Sequence, residues 1–210
     1  MPSLRAEFST RVSEAMRLAE VGEVARAEAR PGSRTRASLY PARLEYLYEM
    51  AYLRIFVSWE GFLEQVFVRY LCGYTSGVGV AVPATGTSFQ STLANAERAM
   101  LGGQQYVLWH NPARVIQRAR TCFGSSPIET VIQSNATRLE QLAAVRHRIT
   151  HAQQDARNKF DSATMMIAGR RYRGSRAGAF LRDEDSSATP APRWLEQLGR
   201  EFQGLAAQIA

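Results

Sequence analysis

Residues 50–57 constrain the fold more than any other stretch, because they are apolar on nearly every side of a helix. Arg54 is the only charged residue among them. A helix of this composition is buried by neighbouring elements all round its surface. The surrounding pattern predicts one long helix that begins between Ser38 and Pro41 and ends at Gly73, since glycine commonly follows the last turn of a helix. We therefore expect a helical protein built around this helix.

Apolar residues recur at helical spacing over most of the remaining chain. They predict a first helix at residues 3–29, shorter helices at 91–101 and 112–124, and a last helix from about Arg193. Residues 74–90 have no helical period and are predicted to form a loop. A chain of 210 residues can bury one good hydrophobic core. The sequence therefore predicts an all-α fold in a single domain.

A positive charge interrupts the apolar face of the single helix predicted over residues 128–151. That face comprises Ile128, Val131, Ile132, Leu139, Leu142 and Ala143. Arg146 follows Leu139 by about two turns, where the pattern would place Leu or Val. Arginine cannot lose its charge, and a buried guanidinium without an anion would cost several kcal/mol. We therefore expect a carboxylate or a phosphate opposite Arg146.

Two of the three histidines, His147 and His151, stand four residues apart beside the same face. One imidazole can exchange a proton near neutral pH while Arg146 holds a phosphate, and this pair is the minimum equipment for metal-free cleavage of a phosphodiester. In a regular helix the directions of Arg146 and His151 differ by about 140°. We therefore expect either a break after the arginine or a two-fold axis that brings a second copy alongside.

Other chemistries lack residues that they need. The HxxxH spacing of His147 and His151 occurs in zinc proteases, but these need Glu directly after the first histidine, where this chain has Arg148. A di-iron bundle needs Glu three residues before a histidine, and no histidine here has one. Cys72 and Cys122 lie in apolar surroundings that indicate core packing. We expect no metal and no cofactor.

The residues Arg146, His147 and His151 resemble the motif of the HEPN superfamily, which consists of Arg, often a polar residue, three more residues, and His. HEPN domains are all-α. The resemblance implies an antiparallel helical bundle with N-terminal and C-terminal accessory helices. It also implies an RNA-cleaving nuclease of bacterial toxin, abortive-infection or restriction-linked systems that is active as a homodimer.

A second point of resemblance to one branch of HEPN nucleases is the segment Trp59-Glu60-Gly61-Phe62, an aromatic-acid pair that precedes the Arg/His motif by a comparable distance. Together the two matches span residues 44–160. Glu60 and Glu64 are one helical turn apart in an apolar setting, and ionised Glu is seldom buried without a partner. They either form a structural ion pair with Arg146 or Arg54, or position the catalytic arginine or an RNA hydroxyl.

The formal net charge of +7 is consistent with contact with a polyanion such as RNA. Arg170, Arg171 and Arg173 surround Tyr172, a combination that suits backbone contact and stacking on single-stranded RNA, although a solvated loop fits equally well. Arg148 is grouped with them as an RNA-binding candidate. A further basic group on the predicted helix 112–124 fits either RNA contact or a solvated face: Arg114, Arg118 and Arg120.

The chain shows no signal peptide, and the best membrane candidate, residues 50–71, carries four charged residues. Its two cysteines form no paired motif, so we expect a cytoplasmic protein without membrane contact. We divide the single HEPN-like domain into an N-terminal helix at 1–32, a core at about 38–160, a basic and acidic loop region at 161–192, and a C-terminal helix at 193–210.

The favoured function is a metal-independent endoribonuclease of toxin or antiphage-defence type, in which Arg146, His147 and His151 are catalytic and Glu60 and Glu64 support them. Its expected partners are RNA, a second copy of the chain, and an antitoxin or another defence protein. One alternative is a non-catalytic HEPN-like module of a toxin-antitoxin system that binds a nucleotide or a partner protein. Another is an ordinary helical protein in which Arg146 forms a core ion pair with Glu60.

Overall fold

The computed structural model describes residues 1–187 and 189–210, with the side chain of Pro2 excluded. The described residues form ten α-helices and one two-stranded sheet, which confirms the prediction of an all-α fold. The helices are α1 (Pro2–Glu28), α2 (Arg34–Ser38), α3 (Pro41–Leu71), α4 (Leu93–Leu101), α5 (Pro112–Cys122), α6 (Pro127–Ser134), α7 (Ala136–Thr150), α8 (Gln154–Ala168), α9 (Ala177–Arg182) and α10 (Trp194–Ile209). A short 3-10 helix covers Arg173–Ser175, and the strands are β1 (Val82–Pro83) and β2 (Phe123–Ser125).

Side-chain caps explain why the shorter helices begin where they do. Thr92, Asn111 and Ser126 each precede a helix and accept a hydrogen bond from the backbone N–H three residues ahead. Such caps satisfy one of the amide groups that the first turn of a helix leaves without a partner. The predicted starts of α4, α5 and α6 are confirmed within two residues, as is the helix before Gly73.

Two predicted elements differ from the structure. The single helix over residues 128–151 is wrong, because α6 and α7 are separate helices with Asn135 between them. The Asn135 side chain donates a hydrogen bond to the Val131 carbonyl at 2.8 Å, a local bond of the kind that competes with helix continuation. The loop region predicted at 161–192 is also wrong in part, since α8 continues through Ala168 and α9 covers Ala177–Arg182.

The chain divides into two compact units, and α1, α3, α7 and α10 each contribute residues to both. The first unit contains Met1–Ser9, Ser58–Glu140 and Phe202–Ala210. Its core is rich in aromatic rings: Phe8 and Phe202 both pack against Trp59, with ring centroids 5.9 and 5.4 Å away. In the small sheet, β1 pairs antiparallel with β2, with Val82 opposite Ser125.

The second unit contains Thr10–Val57 and Gln141–Glu201. Within the stretch 50–57, Tyr52 and Ile55 are fully buried, as an apolar helix predicts. The expectation of burial on every side is wrong for Val57, which is 61% exposed. Arg54 is also exposed and lies 3.4 Å from Glu14 of α1. No helix in the described part of the chain is both long and apolar enough to cross a membrane.

Candidate active site

Arg146 lies near the end of α7, directly after the last buried residue of that helix. Leu139, Leu142 and Val145 are the buried residues before it, and they recur every three residues. Arg146 follows Leu139 by about two turns and lies on the same face, but its side chain is only partly buried. The expectation of a buried guanidinium is therefore wrong. Of the two partners expected for Arg146, a carboxylate or a phosphate, no carboxylate of the described residues pairs with it, and its guanidinium has no hydrogen bond to another described residue.

The end of α7 brings two imidazole rings together. The helix ends at Thr150, and His151 is the first residue after it, with its N–H bonded to the His147 carbonyl at 2.9 Å. The ring centroids of His147 and His151 are 4.4 Å apart, and the rings are tilted by 48°. His151 is exposed and His147 half-buried, and neither imidazole has a hydrogen-bond partner among the described residues.

The surroundings of His147 favour its neutral form. Burial lowers the pKa of His147, and the positive charges of His151, Lys159 and Arg146 lower it further. Asp155 acts in the opposite direction, but it is paired with Lys159 at 2.7 Å. Near neutral pH His147 therefore carries a free lone pair that can accept a proton.

Arg148 fastens the end of α7 to the segment that follows α8. Its Nε donates to the Ser175 carbonyl at 2.8 Å, and one terminal nitrogen donates to the His151 carbonyl at 3.1 Å. These bonds fix the position of the His151 backbone and therefore limit where its imidazole can lie. Arg148 thus acts on the site through the backbone, and its contact with RNA stays a prediction for the remaining donors.

The three arginines around Tyr172 differ in their partners. Arg170 forms an ion pair with Asp183, and its guanidinium lies 5.3 Å from the centre of the Tyr172 ring. The Tyr172 hydroxyl also donates to Asp183, at 2.6 Å. Arg171 and Arg173 are exposed and form no ion pair within the part of the chain that the structure describes. These two therefore remain the arginines of this segment that are free to bind an anion.

Glu60 and Glu64 belong to the first unit, and their surroundings differ. Glu60 Oε1 lies 3.2 Å from Nδ1 of His110. Burial raises the pKa of Glu64, and the nearby charge of Glu97 raises it further. No residue pattern indicates the Glu60–His110 pair, because the partners are 50 residues apart and His110 lies in a loop.

Among the described residues, no three His, Cys, Asp or Glu side chains gather as ligands of a metal ion would. Burial raises the pKa of the Cys72 and Cys122 thiols, so both are protonated near neutral pH and are weak nucleophiles.

The structure therefore defines an all-α protein in which an arginine and two histidines lie at the end of one helix. Comparisons with protein-family models, curated proteins and solved structures found no match for this chain.

Proposed function

We propose that this protein is a metal-independent endoribonuclease that works as a homodimer, with Arg146, His147 and His151 as its catalytic residues. One observation carries the proposal: the end of α7 presents a guanidinium and two imidazoles with ring centroids 4.4 Å apart, and these three groups have no hydrogen bond or ion pair with another described residue. Polar groups engaged in structural roles normally have protein partners. Groups of these three types left free together suit binding of a phosphate followed by proton transfer.

Cleavage is an intramolecular transfer that consumes no water. One imidazole removes the proton from a ribose 2′-hydroxyl, and the oxygen then attacks the adjacent phosphorus. The bond from phosphorus to the 5′-oxygen breaks, and an imidazolium returns a proton to that oxygen. The products are a 2′,3′-cyclic phosphate and a 5′-hydroxyl.

The three side chains divide this work. His151 is the exposed imidazole and acts as general base or acid on the two oxygens. His147 orients His151 or shares the proton transfer, and its lowered pKa suits the role of base at neutral pH. Arg146 offers a planar fork of donors to the phosphate, whose negative charge grows in the transition state.

The dimer and the biological setting come from the similarity of the Arg/His motif to HEPN nucleases. A two-fold axis would place the Arg146 of one copy near the His151 of the other. A toxin or antiphage-defence nuclease of this kind works in the cytoplasm and is restrained by an antitoxin or a partner protein. Exposed Arg171 and Arg173 would hold the RNA backbone.

The test is incubation of purified protein with single-stranded RNA in excess EDTA. We expect cleavage, with 2′,3′-cyclic phosphate and 5′-hydroxyl ends on the fragments. His151→Ala should abolish cleavage without changing the melting temperature, because this side chain is exposed. Arg157→Ala is a matched control, since Arg157 is an exposed charged residue of α8, and it should cleave as the wild type does.

The alternative, a non-catalytic module that binds a nucleotide or a protein, predicts a different outcome. Wild-type protein would then leave RNA intact in EDTA and would be harmless on expression in bacteria. The nuclease proposal predicts toxicity on expression, relieved by Arg146→Ala. Cleavage that survives both His151→Ala and Arg146→Ala would come from a contaminant or another site and would overturn the proposal.

A further inference from the structure

A second group of arginines lines a cleft in the first unit, between α5 and the loop that follows α4. The cleft has a volume of about 730 Å³, which lies within the range of about 300–1,000 Å³ usual for small-molecule sites. Arg114 and Arg118 line it from α5, and Gln104, Gln105 and Tyr106 line it from the loop. None of these residues takes part in the proposed RNA cleavage.

The positive charge in this cleft is not neutralised by the protein. Arg114 and Arg118 are one helical turn apart, so their side chains lie on the same face of α5. In their own unit both bond only to neutral acceptors: Arg114 to the Gln117 side chain at 3.3 Å, and Arg118 to the Leu101 carbonyl at 2.9 Å and the Gln104 side chain at 3.2 Å. The third arginine of α5, Arg120, has a carboxylate partner, Glu129, at 2.7 Å. Two adjacent cations without a carboxylate indicate a place for an external anion.

The backbone of the loop holds Arg118 in place. Gly102 ends α4 in the left-handed conformation, with φ +55°. A Cβ at Gly102 would come within 2.6 Å of an Arg118 terminal nitrogen, so any larger residue there would make the guanidinium shift. Gly103 also has a positive φ, +84°, but a Cβ there would meet nothing within 4 Å. The close approach is therefore specific to Gly102 and Arg118.

The loop that forms the opposite side of the cleft carries an exposed tyrosine ring. Tyr106 is 66% exposed, so most of its ring surface is open to a ligand. A free tyrosine face can stack on a nucleobase. The Gln104 and Gln105 side chains carry both amide donors and carbonyl acceptors, which can bond the edge of a base.

We propose that this cleft binds a nucleoside 5′-phosphate, with the phosphate on Arg114 and Arg118 and the base stacked on Tyr106. The two guanidinium forks bond the phosphate oxygens, and the glutamine amides bond the base edge. The cleft volume fits one mononucleotide, either free or as the phosphorylated 5′ end of an RNA strand. This site goes beyond the proposed nuclease activity and does not depend on it.

The experiment is calorimetric titration of the full-length protein with AMP, adenosine and ribose 5-phosphate. We expect AMP to bind in the micromolar range, and adenosine and ribose 5-phosphate each to bind at least tenfold more weakly, because each lacks one half of the recognised ligand. Trinucleotides with and without a 5′-phosphate identify the source. AMP binding as tight as that of the phosphorylated trinucleotide indicates a free nucleotide. A phosphorylated trinucleotide that binds more tightly than both AMP and its own 5′-hydroxyl form indicates an RNA end.

Variants separate this site from general attraction of anions to a basic protein. Arg114→Gln and Arg118→Gln should each weaken AMP binding at least tenfold, whereas Arg120→Gln, an equal charge change on the same helix, should stay within twofold of the wild type. Tyr106→Phe should retain binding and Tyr106→Leu should lose at least fivefold. Gly102→Ala should weaken binding more than Gly103→Ala, since both substitutions strain a positive φ and only the first displaces Arg118.

Three results would overturn the proposal. The first is an absence of AMP binding at millimolar concentration, although the circular dichroism spectrum and the thermal melting curve show that the protein is folded. The second is an equal loss with Arg118→Gln and Arg120→Gln, which would indicate non-specific charge. The third is loss of AMP binding in His151→Ala, which would place the ligand at the end of α7.

Discussion

The Tyr52 hydroxyl donates a hydrogen bond to the Leu142 carbonyl at 2.9 Å, and both residues are fully buried. This bond fastens α7 to α3 one helical turn before Arg146. Leu142 lies four residues before Arg146, so in a regular helix the Leu142 carbonyl already accepts a hydrogen bond from the Arg146 amide. The bond therefore adds an anchor for the helix that carries the proposed catalytic groups.

Tyr52→Phe should lower the free energy of unfolding by about 1 kcal/mol, the usual net value of a buried hydrogen bond. The loss should not be larger, because the helix still provides the Leu142 carbonyl with a partner. Urea unfolding measures the change. Tyr46→Phe is the control, since Tyr46 is 59% exposed and should show no loss. A Tyr52→Phe variant as stable as the wild type would contradict the role of this bond.

His147 should titrate below the usual histidine pKa of about 6.5. NMR detection of the imidazole protons over a pH series measures it. His151→Ala should raise the pKa of His147, because it removes both a nearby positive charge and part of the burial. Asp155→Asn should lower that pKa further, because Asp155 is the one group that raises it. Equal pKa values in all three proteins would contradict the proposed electrostatics.

Glu64→Gln should raise the melting temperature of the protein at pH 8, and this difference from the wild type should disappear toward pH 4. Burial and Glu97 raise the pKa of Glu64, so the folded protein binds the proton of this carboxyl more tightly than the unfolded chain does. The stability that this proton supplies is present below pH 4.5 and is lost as the pH rises through the folded-state pKa. Glutamine has no charge to lose, so the melting temperatures of the variant and the wild type should converge in acid and separate in base. Parallel melting curves at both pH values would contradict this account.

Two glycine substitutions should change stability in opposite directions. A Cβ at Gly178 of α9 would lie 2.4 Å from the backbone oxygen of Glu45, so Gly178→Ala should cost about 1–3 kcal/mol, as overpacking of a core does. Gly204 lies within α10 with nothing within 4 Å of a Cβ, so Gly204→Ala should gain about 0.5–1 kcal/mol. Chemical denaturation compares the two, and a stabilising Gly178→Ala would show that α9 does not pack on α3 as described.

The helical fold could be predicted from the sequence because its signals are local. Caps such as Ser126 and stops such as Gly73 act within one turn, and apolar spacing repeats within each helix. The break at Asn135 was not predicted, because apolar residues recur at helical spacing on both sides of it and a single polar residue separates the two helices.

The residues of the candidate active site were identifiable as a motif, but their surroundings were not. The closeness of the His147 and His151 rings follows from their spacing at the helix end, whereas the bond from Arg148 to Ser175 joins residues 27 apart and has no local signal. The same holds for the cleft at Tyr106, since the sequence shows the arginines of α5 and not the loop that faces them. Contacts between distant segments depend on packing, which residue patterns do not encode directly.

The central claim is that Arg146 of one subunit and His151 of the other form one active site, and complementation tests it most directly. Arg146→Ala and His151→Ala are each expected to be inactive as homodimers. Co-expression with two different affinity tags and sequential purification yields the heterodimer, in which one of the two shared sites is intact.

The account predicts that this heterodimer recovers about half of the wild-type cleavage in EDTA, because two-fold symmetry pairs the intact arginine with the intact histidine. An inactive heterodimer, alongside an active wild-type dimer carrying the same two tags, would contradict a site shared between subunits.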